Sequence, residues 1–138
     1  LNILFSVLLF RGTAEARPVS ARLLVAEDDF FIRAMIAQFL RDVGFDVTEA
    51  ANADEALAVF ESGAEIDLLF SDVRMPGSID GSELAERVKD RWPGTHVMLT
   101  SGYSSALIEA QSRTSDRILP KPYRPLSVLA AILAVVDP

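Results

Sequence analysis

From Arg22 onward, short apolar runs alternate with segments of helical periodicity, and few folds accommodate that alternation. Leu23-Leu24-Val25-Ala26 reads as a short buried strand running into the acidic Glu27-Asp28-Asp29. Phe31, Ile32, Met35, Ile36, Phe39, Leu40 and Val43 then recur at helical spacing, and Gly44 closes that helix. Asp46–Glu49 is a modest strand. Asn52, with Glu55 three residues later, opens an Ala-rich helix that runs to Phe60 and stops at Gly63. Asp67–Ser71 is the third strand with Asp72 at its end, and a Pro76-Gly77 turn leads to a helix carrying Leu84, Val88 and Trp92. His96–Leu99 is the fourth strand, followed by Thr100-Ser101-Gly102 and a short helix over Ala106–Gln111. Arg117–Leu119 is the fifth, leading to Lys121-Pro122, and Pro125 opens the last helix through Leu126, Leu129, Leu133 and Val136. Five strands alternating with five helices predict an α/β domain, a doubly wound parallel sheet covered on both faces.

At 138 residues the chain is long enough for one domain with a substantial core. A net charge of −7, from 13 basic and 20 acidic residues, argues against a nucleic-acid partner. The absence of cysteine excludes disulfides, thiol catalysis and Cys-ligated zinc, and fits a cytoplasmic setting. The single His96 cannot build a His-rich metal site and is expected at an edge or on the surface. Leu1–Phe10 is almost wholly apolar, but ten residues are too few to span a bilayer, so no membrane partner is expected. Ala14-Glu15-Ala16 has the small-x-small form of a cleavage site, yet no basic residue precedes the apolar run and Arg11 interrupts its end. Residues 1–21 are therefore read as an extension of unknown role, with Arg17-Pro18 as the junction, ahead of a domain over 22–138. The given chain stops soon after the last helix, so no output domain is expected within it.

In open parallel sheets ligands sit beyond the carboxyl ends of the strands. Four polar signals fall there: Glu27-Asp28-Asp29, Asp72, Thr100 and Lys121. Converging carboxylates repel; two charges about 4 Å apart cost roughly 4 kcal/mol at an effective dielectric near 20. Mg²⁺ suits the arrangement because it takes oxygen ligands and keeps waters that a phosphate oxygen can replace. Glu27, Asp28 and Asp72 would hold it, and one carboxylate would attack phosphorus to form an acyl phosphate. Lys121 would neutralise one phosphoryl oxygen and the Thr100 hydroxyl would bond another.

These stretches, LLVAEDDFFI (Leu23–Ile32), LLFSDVRMPGSIDG (Leu68–Gly81), VMLTSGY (Val97–Tyr103) and LPKPY (Leu119–Tyr123), closely resemble the receiver domain of two-component response regulators. The resemblance covers Arg22 to about Val136. It implies a CheY-like, flavodoxin-like (βα)5 fold with strand order 2-1-3-4-5. It implies Asp72 as phosphoacceptor, Glu27 and Asp28 as Mg²⁺ ligands, and the Arg74 main-chain carbonyl as a further ligand. Thr100 and Lys121 would read the phosphoryl group, and the Lys121–Pro122 bond would be cis. The donor would be a histidine kinase or histidine phosphotransfer protein, and the output a contact with a downstream protein. Enzyme activity on outside substrates is not implied, only self-phosphorylation from small donors and self-dephosphorylation. The same pattern fits the excised C-terminal receiver of a hybrid histidine kinase.

Three positions depart from the family pattern. Glu27 stands where many receivers carry Asp, Ser78-Ile79 makes the following loop one residue longer, and Ile118 replaces a switching aromatic for which Tyr103 is a candidate substitute. Arg74 and Gly102 occupy positions that flank the phosphoryl group, and bulky Arg74 is expected to hinder water. The last helix is apolar on more than one face; Val128, Ile132 and Val135 suit core packing and, in excess, a homodimer or partner.

Each signal alone has a plainer reading. Asp28 and Asp29 can cap the first helix, the better reading for Asp29, while Asp72 can be a turn residue and Lys121 a solvated lysine. A flavodoxin-like cofactor binder would need a phosphate-cradling loop after the first strand, where this chain places three acids. An aspartate-nucleophile phosphatase would carry a second acid two residues on, where this chain has Arg74.

Overall fold

The computed structural model describes residues 20–102 and 115–137. The N-terminal extension to residue 19, Tyr103 and the helix expected at Ala106–Gln111 lie outside the described residues. Within them the order is β1 (Arg22–Ala26), α1 (Phe30–Val43), β2 (Asp46–Ala50), α2 (Ala53–Glu61), β3 (Leu68–Asp72), α3 (Gly81–Arg91), β4 (His96–Ser101), β5 (Arg117–Pro120) and α4 (Pro125–Val136). The five strands form one sheet in the order β2-β1-β3-β4-β5, and every pair is parallel. The doubly wound arrangement expected from the alternation is what forms.

Strand residues are apolar on both sides because both faces are covered. Leu23, Val25, Leu68, Phe70 and Met98 pack in one core with Ile36, Leu40, Val128, Leu129 and Ile132 from α1 and α4. Their strand neighbours Leu24, Ala26, Leu69, Val97 and Leu99 pack in a second core with Phe60, Leu84 and Val88 from α2 and α3. Most of the last helix is accounted for by core packing: Val128, Leu129, Ala131 and Ile132 are buried, and Leu126 is left exposed.

The helices start and stop where their local chemistry allows. The Asp29 side chain accepts from the Ile32 N–H, Asn52 from Glu55 N–H, and Asp80 from Glu83 N–H. Glu55 reaches back to the Ala51 N–H at 2.8 Å, one residue earlier than a strict capping box. Gly44 ends α1 at φ 120°, a conformation that favours glycine.

Two strands run further than their apolar residues suggest. Asp72 and Thr100 lie within β3 and β4 and pair with each other in register. The Val73 N–H then donates to the Thr100 carbonyl at 3.0 Å. The ladder uses only main-chain groups, so polar side chains do not interrupt it.

Candidate functional site

Strand order reverses between β1 and β3, and the carboxyl ends of these two strands carry the acidic residues. Ala26 pairs with Ser71, which places Glu27 beside Asp72. Ser101 pairs with Pro120, and the Lys121 N–H donates to the Ser101 carbonyl at 2.9 Å, which brings Lys121 to the same edge. The Lys121–Pro122 bond is cis.

Lys121 Nζ lies 2.6 Å from Asp72 Oδ2 and 3.4 Å from Glu27 Oε1. Glu27 is 3% exposed. Its other carboxylate oxygen accepts from the Asp29 N–H at 3.1 Å, and Asp72 Oδ1 accepts from the Arg74 N–H at 3.3 Å. Glu27, Asp28 and Asp72 each offer an oxygen, and these oxygens lie within 4.8 Å of one another. Asp28 is the exposed member of the three. Burial pushes the Glu27 carboxyl above its usual range, and the neighbouring Asp28 and Asp72 add to the effect while the Asp29 N–H and Lys121 oppose it. Burial also works against the Lys121 charge, but the bond to Asp72 wins and holds the lysine pKa above its ordinary value. The Tyr123 hydroxyl is pushed up by burial and by Glu27 and Asp72, so it stays protonated.

Thr100 is 2% exposed, and its hydroxyl has no hydrogen-bond partner. Buried hydroxyls are nearly always paired, so this one marks a place where an acceptor belongs. Asp72, Arg74, Ser101, Gly102 and Lys121 line a cleft of about 210 Å³ beside it. The donor set fits a hard cation: three carboxylates with a shared focus, all oxygen, one side open to water.

The structure brings together Glu27, Asp28, Asp72, Thr100 and Lys121, with Arg74 in the adjoining loop. That loop is held by specific contacts. The Asp54 carboxylate accepts from the Ser78 hydroxyl at 2.7 Å and its N–H at 3.4 Å, and Ile79 is buried in the second core. Ile118 is partly buried against that same core. His96 is partly exposed at the start of β4, 3.6 Å from Asp116.

Two residues escaped the sequence reading. A Cβ on Gly81 would overlap the Asp72 carbonyl oxygen and come within 2.8 Å of its carbon, so glycine alone lets α3 begin against the end of β3. A glycine directly after the capping Asp80 was the available signal. Arg33 donates to the Glu27 carbonyl at 2.8 Å. That contact has no sequence signature, because an arginine in a first helical turn ordinarily faces solvent.

The response regulator receiver domain family model matches residues 23–133. Protein PetR of Rhodobacter capsulatus is 35% identical over 115 residues, 83% of this chain and 48% of that protein. Sensor kinase CckA of Brucella abortus is 34% identical over 108 residues, 75% of this chain and 11% of that protein. The solved structure of response regulator TrrA from Thermotoga maritima, in complex with Mg²⁺-BeF, superposes with a TM-score of 0.74 at 27% identity, covering 83% of this chain and 97% of that one. The chain thus spans about half or less of the length of these two curated relatives. Among the described residues no helix is long and apolar enough to cross a membrane.

Proposed function

The chain belongs to the response regulator receiver domain family, and we propose that its phosphorelay switch works through phosphorylation of Asp72. The observation that carries this reading is the buried, unpartnered Thr100 hydroxyl on the residue registered with Asp72. A phosphoryl oxygen on Asp72 would supply the missing acceptor. The donor is a phosphohistidine on a histidine kinase or phosphotransfer protein. An Asp72 oxygen attacks phosphorus, the P–N bond breaks, and the imidazole leaves and takes up a proton. Lys121 shifts from Asp72 to a phosphoryl oxygen, and Thr100 binds a second one. Glu27, Asp28, Asp72 and the Arg74 carbonyl would hold Mg²⁺, which would supply positive charge against the gathered negative charge.

Phe30, Phe31 and Met35 are exposed, Phe31 by 80%, on the turns of α1 that follow the acidic loop. An apolar surface so close to Asp72 suits docking of the donor's histidine-bearing helix. Exposed Leu126 leaves room for a homodimer through α4. The setting is cytoplasmic, where such donors act. The likeness to the sensor kinase CckA supports the alternative that the chain is a receiver of a hybrid kinase, with the same site chemistry.

The test is intact mass after incubation with Mg²⁺ and a small acyl-phosphate donor. Wild type is expected to gain one phosphate, only with Mg²⁺, and Asp72→Asn to gain none. An equal gain in the variant would remove Asp72 from the role.

A further inference from the structure

Glu27 lies just past the last paired residue of β1, where a main chain easily turns out to solvent. Here it is held at both ends. Its N–H donates to the Ala50 carbonyl at 3.0 Å, and its carbonyl accepts from Arg33 Nη1 at 2.8 Å. Arg33 Nε donates to Glu49 Oε1 at 3.3 Å, and the other Glu49 oxygen accepts from Arg41 Nη1 at 2.9 Å. Arg41 is anchored in turn on the Val47 carbonyl at 2.8 Å. The Arg33 side chain is only 14% exposed, with its guanidinium 5.5 Å from the Phe30 ring centroid.

A nearly buried cation beside a site for Mg²⁺ is electrostatically unfavourable, since it repels the ion. Attraction to the ion therefore does not account for Arg33, whose charge is balanced by Glu49. The peptide whose carbonyl it grips is the one joining Glu27 to Asp28, the two acids of the β1–α1 loop. Turning that peptide plane would move both carboxylates and break the Asp29 N–H bond to Glu27.

We propose that Arg33 is a positioning residue for the metal site, fixing Glu27 and Asp28 through the Glu27 carbonyl, with Glu49 and Arg41 as its brace. The inference rests on the Mg²⁺ reading given above and adds what orients its ligands. Partners that orient metal ligands are typically worth about 10- to 100-fold in affinity.

The test is calorimetric titration of the full chain with MgCl₂ at one ionic strength, for wild type, Arg33→Met and Arg33→Lys. The unfolding midpoint of each metal-free protein is measured alongside. Arg33→Met is expected to bind Mg²⁺ about tenfold or more weakly. Arg33→Lys, which keeps the charge but loses the planar fork, is expected to stay several-fold weaker than wild type. A charge effect alone has the opposite pattern, tighter binding in Arg33→Met and no change in Arg33→Lys, and either result overturns the proposal. If Arg33→Met does not fold, Arg33→Lys decides by itself. Failure of wild type to bind Mg²⁺ is a separate outcome that overturns the metal reading, and the positioning role with it.

Discussion

At the amino end of the sheet, the Asp67 carboxylate accepts from the Arg22 N–H at 2.7 Å and its guanidinium at 3.2 Å. Asp116 there accepts from the Val97 N–H at 2.6 Å and Lys89 at 2.9 Å. At the carboxyl end, Glu27 and Asp72 share one lysine, and Asp28 stands close to both. Burial pushes Asp67 and Asp116 up, but the bonds from Arg22 to one, and from Lys89 and the Val97 N–H to the other, outweigh it, and both carboxyls are held below their ordinary range. For Glu27 the Asp29 N–H and Lys121 do not outweigh burial, and its carboxyl rises above its ordinary range. A carboxylate thus stabilises one end of the sheet and is strained at the other. The difference teaches where function is to be sought: the strained acid, Glu27, stands in the carboxylate cluster proposed above to hold a cation.

The sharpest way to break the contrast is at Asp116. Asp116→Ala leaves the Val97 N–H without its acceptor and is predicted to cost about 1–3 kcal/mol at neutral pH. A depressed carboxyl pKa gives stability that is present above the unfolded value and lost as pH falls through the folded one. Urea unfolding from neutral pH down to about pH 3 should therefore show the gap between wild type and variant closing below roughly pH 4. A gap that stays constant into acid would refute the pairing.

The opposite sign is expected at the other end. Folding disfavours the charged form of Glu27 at every pH above its raised value, and a neutral amide escapes that penalty. Glu27→Gln is predicted to stabilise the metal-free protein by about 1 kcal/mol, a rise of a few degrees in Tm, while weakening Mg²⁺ binding. Loss of stability in a thermal melt without metal would show that Glu27 is as settled as Asp116.

The smallest effect is expected at Arg74, which lines the cleft beside Asp72. If its side chain obstructs water, Arg74→Ala should lose phosphate a few-fold faster, under about 1 kcal/mol in the barrier. Dephosphorylation followed by intact mass would sink the idea if the rate is unchanged or slower.

Much of this was legible locally. The apolar runs located all five strands, and Asp29, Asn52 and Gly44 announced helix ends that the caps bear out. Asp72, Thr100 and Lys121 could be chosen because each follows an apolar run. The ends of β3 and β4 were less legible, since continuation of the ladder depends on a partner strand and not on the side chains it carries. The roles of Gly81 and Arg33 were missed for a related reason: one is needed by a main-chain carbonyl nine residues back, the other by a glutamate on β2.

By itself, then, the sequence determined the layering of the domain and the polar types that reach one edge of the sheet, because periodicity and strand ends are read within a few residues. Tertiary structure alone decided which acid is strained, which lysine contact is short and what holds the loop. Those depend on groups far apart in the chain, with Lys121 meeting Asp72 across 49 positions and Glu27 across 94. Strand register and side-chain packing set such distances, and neither is encoded by any local stretch of residues.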